Sequence, residues 1–144
     1  MRLEHSLRVE RPVDEVFAFV AEPSNLPRWQ SGLVEVRPEA AERGVGARHV
    51  EVRSFLGRRF EQTLEVTAYE PGRRLDLSVV DGPLPLRVSH VFAEEGAGTR
   101  LDVVGEGEIG TLFRLAEPLV VRAVKRQSRT DFERLKRLLE ERPA

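Results

Sequence analysis

Residues 60–80, FEQTLEVTAYEPGRRLDLSVV, decide the fold of this 144-residue chain. Apolar and polar side chains alternate on both sides of Glu70-Pro71-Gly72, which is the pattern of two half-buried strands joined by a tight turn. The side chains that share the predicted inner face are Phe60, Gln62, Leu64 and Val66 before the turn, and Leu75, Leu77 and Val79 after it. Because so short a connection makes neighbouring strands run antiparallel, this stretch predicts an antiparallel hairpin.

The same pattern extends outward from this hairpin, from Gly46 to Glu108. Further turn residues at Leu56-Gly57, Asp81-Gly82-Pro83 and Gly96-Ala97-Gly98 divide it into five sequential antiparallel strands. We assign inward the apolar face that carries Val50 and Val52, and likewise the face made by Leu84, Leu86, Val88, His90 and Phe92. His49 falls on the opposite face from Val50, and we therefore expect it at the surface.

The flanking segments complete an α+β fold. Residues 2–10 alternate as a first strand, a short helix follows Pro12 and ends near Pro23, and Ser24 to Trp29 forms at most one helical turn. An extended segment follows near Leu33 to Val36. A long helix runs from about Pro118 to Glu141, because apolar residues there recur at spacings of three and four. We expect a curved antiparallel sheet of about seven strands, two short helices after the first strand, and this long helix packed across the concave face.

The composition limits the classes of function. With 144 residues and 40% apolar side chains, residues 1–144 are expected to form a single domain, without a membrane span or signal peptide and located in the cytoplasm. Zero cysteines and three scattered histidines predict no metal site and no cofactor. The net charge of -1 favours neither nucleic acid nor integral membrane contact. The sequence leaves monomer and homodimer open.

Five short motifs occur in a characteristic order and spacing. They are Arg11-Pro12-Val13-Asp14-Glu15-Val16-Phe17, Leu26-Pro27-Arg28-Trp29, Glu70-Pro71-Gly72-Arg73-Arg74-Leu75, Gly98-Thr99-Arg100-Leu101 and Phe132-Glu133-Arg134-Leu135-Lys136. Together they resemble the START-like (SRPBCC) superfamily, in particular its polyketide cyclase/dehydrase-like bacterial members, over almost the whole chain. The resemblance implies a helix-grip fold, in which the sheet curls around the terminal helix and leaves a cavity. It implies no single activity, since similar proteins include lipid binders, quinone binders and cyclases.

The cavity that this resemblance implies has candidate lining residues. The first half of the long helix is apolar over a wide arc, which is consistent either with a ligand cavity or with a fully packed core. Gly105 and Gly107 remove side chains opposite that helix, which either leaves room or marks a close helix–sheet approach. The predicted lining residues are Trp29, Val52, Gln62, Leu64, Leu77, Val79, Val88, His90, Gly105, Phe113, Ala116, Val120, Val124 and Gln127.

Polar residues on the inward faces have two interpretations. His5, Gln62, His90 and Gln127 either orient a ligand or are satisfied by structural partners. His5 and His90 are the candidate proton carriers for catalysis, because an imidazole titrates near neutral pH. Trp29 either lines the cavity entrance with a hydrated N–H group or plugs the first helix.

Carboxylates on the last strand, Asp102, Glu106 and Glu108, share the face expected to be wet, so we place no catalysis there.

Three hypotheses follow for function. The first is a module that binds a hydrophobic small molecule such as a lipid, a quinone or a polyketide-like compound. The second is an enzyme of the cyclase or dehydratase type that uses the same cavity. The third is a protein-interaction or regulatory module, which a large exposed apolar patch without an internal cavity would favour.

Overall fold

The computed structural model describes residues 1–39, 43–108 and 117–142. Its helices are α1 (Val13–Ala21), a short 3-10 helix (Pro23–Asn25), α2 (Leu26–Trp29) and α3 (Glu117–Glu140). Its strands are β1 (Arg2–Val9), β2 (Leu33–Pro38), β3 (Arg48–Phe55), β4 (Arg58–Glu70), β5 (Arg74–Asp81), β6 (Leu86–Glu95) and β7 (Gly98–Gly107). The predicted α+β helix-grip fold is confirmed.

The seven strands form one antiparallel sheet in the order β1-β7-β6-β5-β4-β3-β2. Strands β2 to β7 follow one another as hairpins, whereas β1 pairs with the last strand, so that Arg2 lies opposite Glu106. Strands β1 and β2 are therefore at opposite edges of the sheet. The chain between them must cross from one edge to the other, and α1, the 3-10 helix and α2 make that crossing.

The crossing segment is built as its sequence dictates. Pro12 precedes the first turn of α1, where a missing N–H costs nothing, and Asp14 and Glu15 lie near the positive end of the helix dipole. One face of α1 is buried. Pro23 then ends the helix, because proline disfavours helical backbone in the residue before it.

The main core lies between the sheet, α1 and the second half of α3. Val9, Leu101, Leu135 and Leu139 are completely buried there. A second, smaller apolar cluster forms around Val120 in the first half of α3, and it includes Met1, Phe55, Leu84, Val121 and Val124. The inner side of the fold is therefore packed at one end of α3 and less completely filled at the other.

Strand β3 differs from the prediction. Its register with β4 places His49 opposite Leu64, Glu51 opposite Gln62 and Arg53 opposite Phe60, so the odd-numbered residues of β3 face inward. His49 is buried, which makes its predicted surface position wrong. The inward face was misassigned because the alternation of Val50 and Val52 matches an inner strand face.

Val52 is the corresponding error on the outer face. It is buried, but it pairs with Glu35 on one side and Glu61 on the other. The acidic neighbours place it on the outer face of the sheet, away from the interior that it was predicted to line.

Candidate ligand cavity

A cavity of about 260 Å³ lies between the inner face of the sheet, α2 and the first half of α3. Ten of the residues predicted from the sequence line it: Trp29, Gln62, Leu64, Leu77, Val88, His90, Gly105, Val120, Val124 and Gln127. An apolar protein cavity of about 150 Å³ is large enough for benzene, so this one has room for a ligand larger than a single aromatic ring.

Of the remaining four predicted residues, two are described and do not line the cavity. Val52 lies on the outer face of β3, as described above. Val79 pairs with Leu64 across the β4–β5 ladder but is not part of the cavity lining. Phe113 and Ala116 lie outside the described residues.

The two glycines of β7 have different roles. A Cβ atom at Gly105 would lie 3.8 Å from Leu3 Cβ and 4.0 Å from Leu86 Cδ1, which are ordinary contact distances. A Cβ atom at Gly107 would lie 2.5 Å from the carbonyl oxygen of Pro85, so this glycine permits a close backbone approach. Gly105 therefore leaves space in the interior, whereas Gly107 allows two backbone segments to pack closely.

An aromatic wall forms one side of the cavity. The rings of Trp29 and Phe132 are 5.2 Å apart, and those of Phe132 and His5 are 5.1 Å apart. The indole of Trp29 is 2% exposed, and its Nε1–H group has no acceptor in the described part of the chain. An unsatisfied buried donor costs about 1–3 kcal/mol, and because this N–H group is buried it is not hydrated at a cavity entrance.

His90 presents an acceptor to the same cavity. Its Nδ1 lies 3.0 Å from the carbonyl oxygen of Leu75, and because a carbonyl only accepts, Nδ1 carries the hydrogen. Burial lowers the pKa of His90 despite the opposing effects of that bond and of Asp76, so the ring is neutral near pH 7. Nε2 is then an unprotonated acceptor, and no described residue donates to it.

The other inward polar groups differ in how far they are satisfied. His5 Nε2 lies 2.7 Å from Ser128 Oγ, and burial followed by the charge of Arg129 lowers its pKa. Gln62 Oε1 accepts from the backbone N–H of Leu84 at 2.9 Å and so anchors the β5–β6 connection. The amide of Gln127 makes no hydrogen bond within residues 1–39, 43–108 and 117–142.

A buried ionic network was missed by the sequence analysis. Glu51 is 2% exposed and lies 2.7 Å from His49 Nε2 through one carboxylate oxygen, while the other accepts from Arg53 Nε at 2.8 Å. Arg53 also donates from Nη2 to Gln30 Oε1. Burial alone would raise the pKa of Glu51, but Arg53 and His49 outweigh it and hold that pKa below its ordinary value. We call Gln30, His49, Glu51 and Arg53 the ionic network.

Asp131 is a second carboxyl group in the wall that was not predicted. It accepts from both the backbone N–H and the hydroxyl of Ser31, at 3.2 and 3.0 Å. Burial nevertheless raises its pKa, which these bonds and the nearby Arg134 and Arg53 only partly offset. Its position one turn after Gln127, on the inward side of α3, was the available sequence signal.

The carboxylates of the last strand are largely placed as expected. Asp102 accepts from Ser6 and Arg100, and Glu106 pairs with Arg2, on the exposed side of the sheet. Glu108 differs, because this exposed residue borders the cavity.

Two further features of the described residues bear on the class of site. No three His, Asp or Glu side chains in the described ranges converge as they would around a metal ion. None of the described helices contains a stretch that is long and apolar enough to cross a membrane.

Comparison with known proteins identifies the family of this chain. The family model described as polyketide cyclase/dehydrase and lipid transport matches residues 1–140. The chain belongs to this family. No curated protein sequence matches it significantly.

Solved structures share the fold of this polyketide cyclase/dehydrase family member. The protein TTHA0849 from Thermus thermophilus is 17% identical with a TM-score of 0.82, covering 96% of this chain and 97% of that one. The Zhui aromatase/cyclase from a Streptomyces species is 16% identical with a TM-score of 0.82, covering 99% and 94%. Ara h 8.0201 is 13% identical with a TM-score of 0.73, covering 99% of each chain. At such identities the likeness is one of fold.

Replacing His90 with glutamine is expected to reduce the acid sensitivity of this family member. The folded-state pKa of His90 lies below the ordinary imidazole value of about 6.5, so below about pH 6.5 the unfolded chain takes up a proton that the folded chain does not. The free energy of unfolding therefore falls as pH drops from 7 to 5, and His90→Gln lessens that fall while Gln can still donate to Leu75. His5 contributes in the same direction and remains in the variant.

Urea unfolding of both proteins at pH 8, 7, 6 and 5 measures this. At pH 8 the imidazoles of His5 and His90 are neutral, so the unfolding free energies at this pH are the reference for each protein. If the free energy of unfolding fell equally in the wild type and His90→Gln between pH 7 and pH 5, the assignment of His90 as a buried neutral ring would be contradicted.

Proposed function

We propose that this protein binds a hydrophobic small molecule inside the cavity between the sheet and α3. The observation that supports this best is a mostly apolar interior space of about 260 Å³, whose wall also includes the polar side chains of His90 and Gln127. A cavity that is apolar with a few placed polar groups is typical of small-molecule sites. The family description, which includes lipid transport, supports the same class of function.

The mechanism of binding is burial with orientation. Apolar ligand surface leaves water against Leu64, Leu77, Val88 and Val120, at about 0.8 kcal/mol for each buried CH₂ group. The polar side chains of His90 and Gln127 then select the orientation in which a ligand oxygen or hydroxyl meets them. A lipid, a quinone and a polyketide-like compound all meet these requirements.

A cyclase or dehydratase activity is the second candidate, and His90 favours it. A neutral imidazole whose Nε2 faces the cavity is able to accept a proton from a bound substrate. His5 is less suited, because Ser128 already occupies its Nε2. The Zhui aromatase/cyclase has the same fold, which is compatible with this role but does not assign it.

An interaction module is the third candidate and has less support. It would be favoured by a large exposed apolar patch in a protein without an internal cavity. Here a cavity is present, and the large exposed apolar side chains among the described residues lie on different elements: Val34, Val45, Leu56, Val80, Val91 and Leu119.

Filling the cavity tests the proposal. Val120 lines the space and is 1% exposed, whereas its neighbour Leu119 is 65% exposed, so Val120→Trp and Leu119→Trp add the same side chain inside and outside. The probe is 6-propionyl-2-dimethylaminonaphthalene, a neutral naphthyl ketone whose emission shifts to the blue on leaving water. We expect saturable blue-shifted binding by the wild type and Leu119→Trp, and at least about tenfold weaker binding by folded Val120→Trp.

Thermal unfolding followed by circular dichroism establishes whether Val120→Trp is folded. Two outcomes would overturn the proposal. One is a wild type that neither binds the probe nor yields a stoichiometric hydrophobic compound on solvent extraction. The other is a folded Val120→Trp variant that binds the probe as tightly as Leu119→Trp does.

A further inference from the structure

We propose that the end of the fold where the β3–β4 turn meets the first half of α3 docks on the surface of an anionic phospholipid bilayer. This inference goes beyond the proposed function and does not depend on what the cavity holds. It follows from exposed cations that lack acidic partners, and from two exposed leucines that lie among them.

The cations of this surface lie on two adjoining segments. No acidic residue occurs at positions 52–60, around the β3–β4 turn, or at positions 118–130 of α3. Phe55 at the turn packs in the apolar cluster around Val120 of α3, so the two segments meet. The surface contains six exposed basic residues and two exposed leucines, which we call the basic face: Leu56, Arg58, Arg59, Leu119, Arg122, Lys125, Arg126 and Arg129.

The six cations of the basic face form no ion pair with any described residue. The ion pairs described within α3 lie in its second half, where Arg134 pairs with Asp131 and Lys136 pairs with Glu140. Several exposed arginines of the sheet, in contrast, pair with carboxylates: Arg2, Arg37, Arg48, Arg74 and Arg100. Although the chain has a net charge of -1, positive charge is therefore concentrated on the basic face.

On α3, the basic face lies on the side of the helix that points away from the cavity. Residues at spacings of three and four form one exposed stripe along this side: Leu119, Arg122, Arg126 and Arg129. Val120 lies on the other side of the helix, in the cavity wall. A partner is thus able to contact the cations without entering the cavity.

The two leucines of the basic face have little contact with the rest of the fold. Leu119 is 65% exposed, and Leu56 at the tip of the β3–β4 turn is 57% exposed. Leu56 also has a φ of 48°, in the left-handed region that glycine or asparagine adopts more readily than leucine. The turn therefore presents an apolar side chain to solvent at a position that a polar residue would fit better.

A bilayer surface matches both kinds of side chain. Cations near an anionic bilayer are attracted to the lipid phosphates, and apolar side chains beside them leave water between the headgroups. A nucleic acid would meet the cations but would gain nothing from the leucines. None of the described residues of the basic face is aromatic, so a base finds no ring there on which to stack.

Sedimentation with phospholipid vesicles tests the proposal on the whole chain. Vesicles with about 30% phosphatidylglycerol in phosphatidylcholine supply the anionic surface, and vesicles of phosphatidylcholine alone are the neutral reference. We expect saturable binding to the anionic vesicles and at least about tenfold weaker binding to the neutral ones. Raising NaCl from about 0.05 M to about 0.5 M is expected to weaken binding to the anionic vesicles, because salt screens exposed charges.

Charge reversal assigns the binding to the basic face. Each cation near an anionic bilayer contributes about fivefold in affinity, so the double variant Arg122→Glu with Arg126→Glu is expected to bind anionic vesicles at least about 25-fold more weakly. The matched control is Arg73→Glu with Arg100→Glu, which changes the net charge equally at the other end of the strands. Its affinity is expected to fall about fivefold at most. Neither Arg122 nor Arg126 lines the cavity, so their double variant is expected to bind the naphthyl ketone probe as the wild type does.

A single substitution in the turn tests the apolar contribution. Leu56→Asn removes the exposed apolar side chain and places a residue that tolerates the positive φ. We expect about fivefold weaker binding to anionic vesicles, with a thermal unfolding midpoint at least as high as that of the wild type. Val91→Asn, at a 41% exposed valine of β6, is the control and is expected to leave vesicle binding unchanged.

Four results would overturn the proposal. They are a wild type that does not bind anionic vesicles, equal binding to neutral vesicles, a control double variant that loses as much affinity as Arg122→Glu with Arg126→Glu, and displacement from the vesicles by duplex DNA or RNA at an equal phosphate concentration. The last result would make a nucleic acid the partner. If thermal unfolding shows that the α3 double variant is not folded, Arg58→Glu with Arg59→Glu at the turn replaces it in the same comparison.

Discussion

Replacing Glu51 with leucine is expected to lower the free energy of unfolding by about 3–5 kcal/mol, because it leaves Arg53 and His49 without the carboxylate between them. Glu51 is 2% exposed and His49 is 3% exposed, so water is a poor replacement for the lost carboxylate. Urea unfolding monitored by circular dichroism gives the free energy for each protein.

The matched control is Glu61→Leu on the neighbouring strand. The Glu61 side chain is 62% exposed and pairs with Arg37 on the outer face, so this loss is expected to stay below about 1 kcal/mol. Replacing His49, Glu51 and Arg53 together with leucine is expected to restore most of the lost stability, because no charge is then left unpaired. A Glu51→Leu variant that loses no more than Glu61→Leu would show that the ionic network is not stabilised as a unit.

Truncating Leu135 to alanine is expected to cost about 3–5 kcal/mol and to weaken binding of the naphthyl ketone probe. Leu135 is completely buried in the main core, where the second half of α3 packs against the sheet. Deleting its side chain removes apolar contacts and leaves a cavity that the packed surroundings only partly fill. Binding weakens because the wall formed by α3 is then held less firmly over the sheet.

Leu119→Ala is the control on the same helix. Leu119 is 65% exposed, so its truncation is expected to change stability by less than about 0.5 kcal/mol. Denaturant unfolding and probe titration of both variants give the comparison. Equal stabilities would mean that α3 is not held by its second half.

Local signals made the fold predictable. The turn at Glu70-Pro71-Gly72 and the alternation on either side depend only on neighbouring residues, and they gave the β4–β5 hairpin correctly. Pro23 likewise predicted the end of α1. The spacing of Leu135 and Leu139 predicted which face of α3 packs against the core. In each case backbone preference and burial agree, so the pattern has one interpretation.

The chemistry of the wall was harder to predict because it depends on pairing between residues that are distant in the sequence. On β3, Val50 and Val52 gave a convincing apolar face, yet Glu51 and Arg53 face inward because they satisfy each other. An interpretation based on the alternation of apolar and polar residues places every charged side chain in solvent. It contains no information on whether an oppositely charged side chain lies beside it in the fold. The role of Asp131 likewise depends on Ser31, which is 100 residues away in the chain.

The pairing of β1 with β7 has a consequence for how the protein is made. Arg2 pairs with Glu106, so β1 emerges from the ribosome before the other six strands of the sheet and gains its partner only after β7 has emerged. Contacts so distant in sequence slow folding, and they place this domain nearer the millisecond-to-second range than the microsecond range of helical bundles. Strands β2 to β7 can pair as they emerge, but the interior closes only after β7 and α3 have emerged. During translation the nascent chain therefore exposes the apolar surface that later lines its cavity.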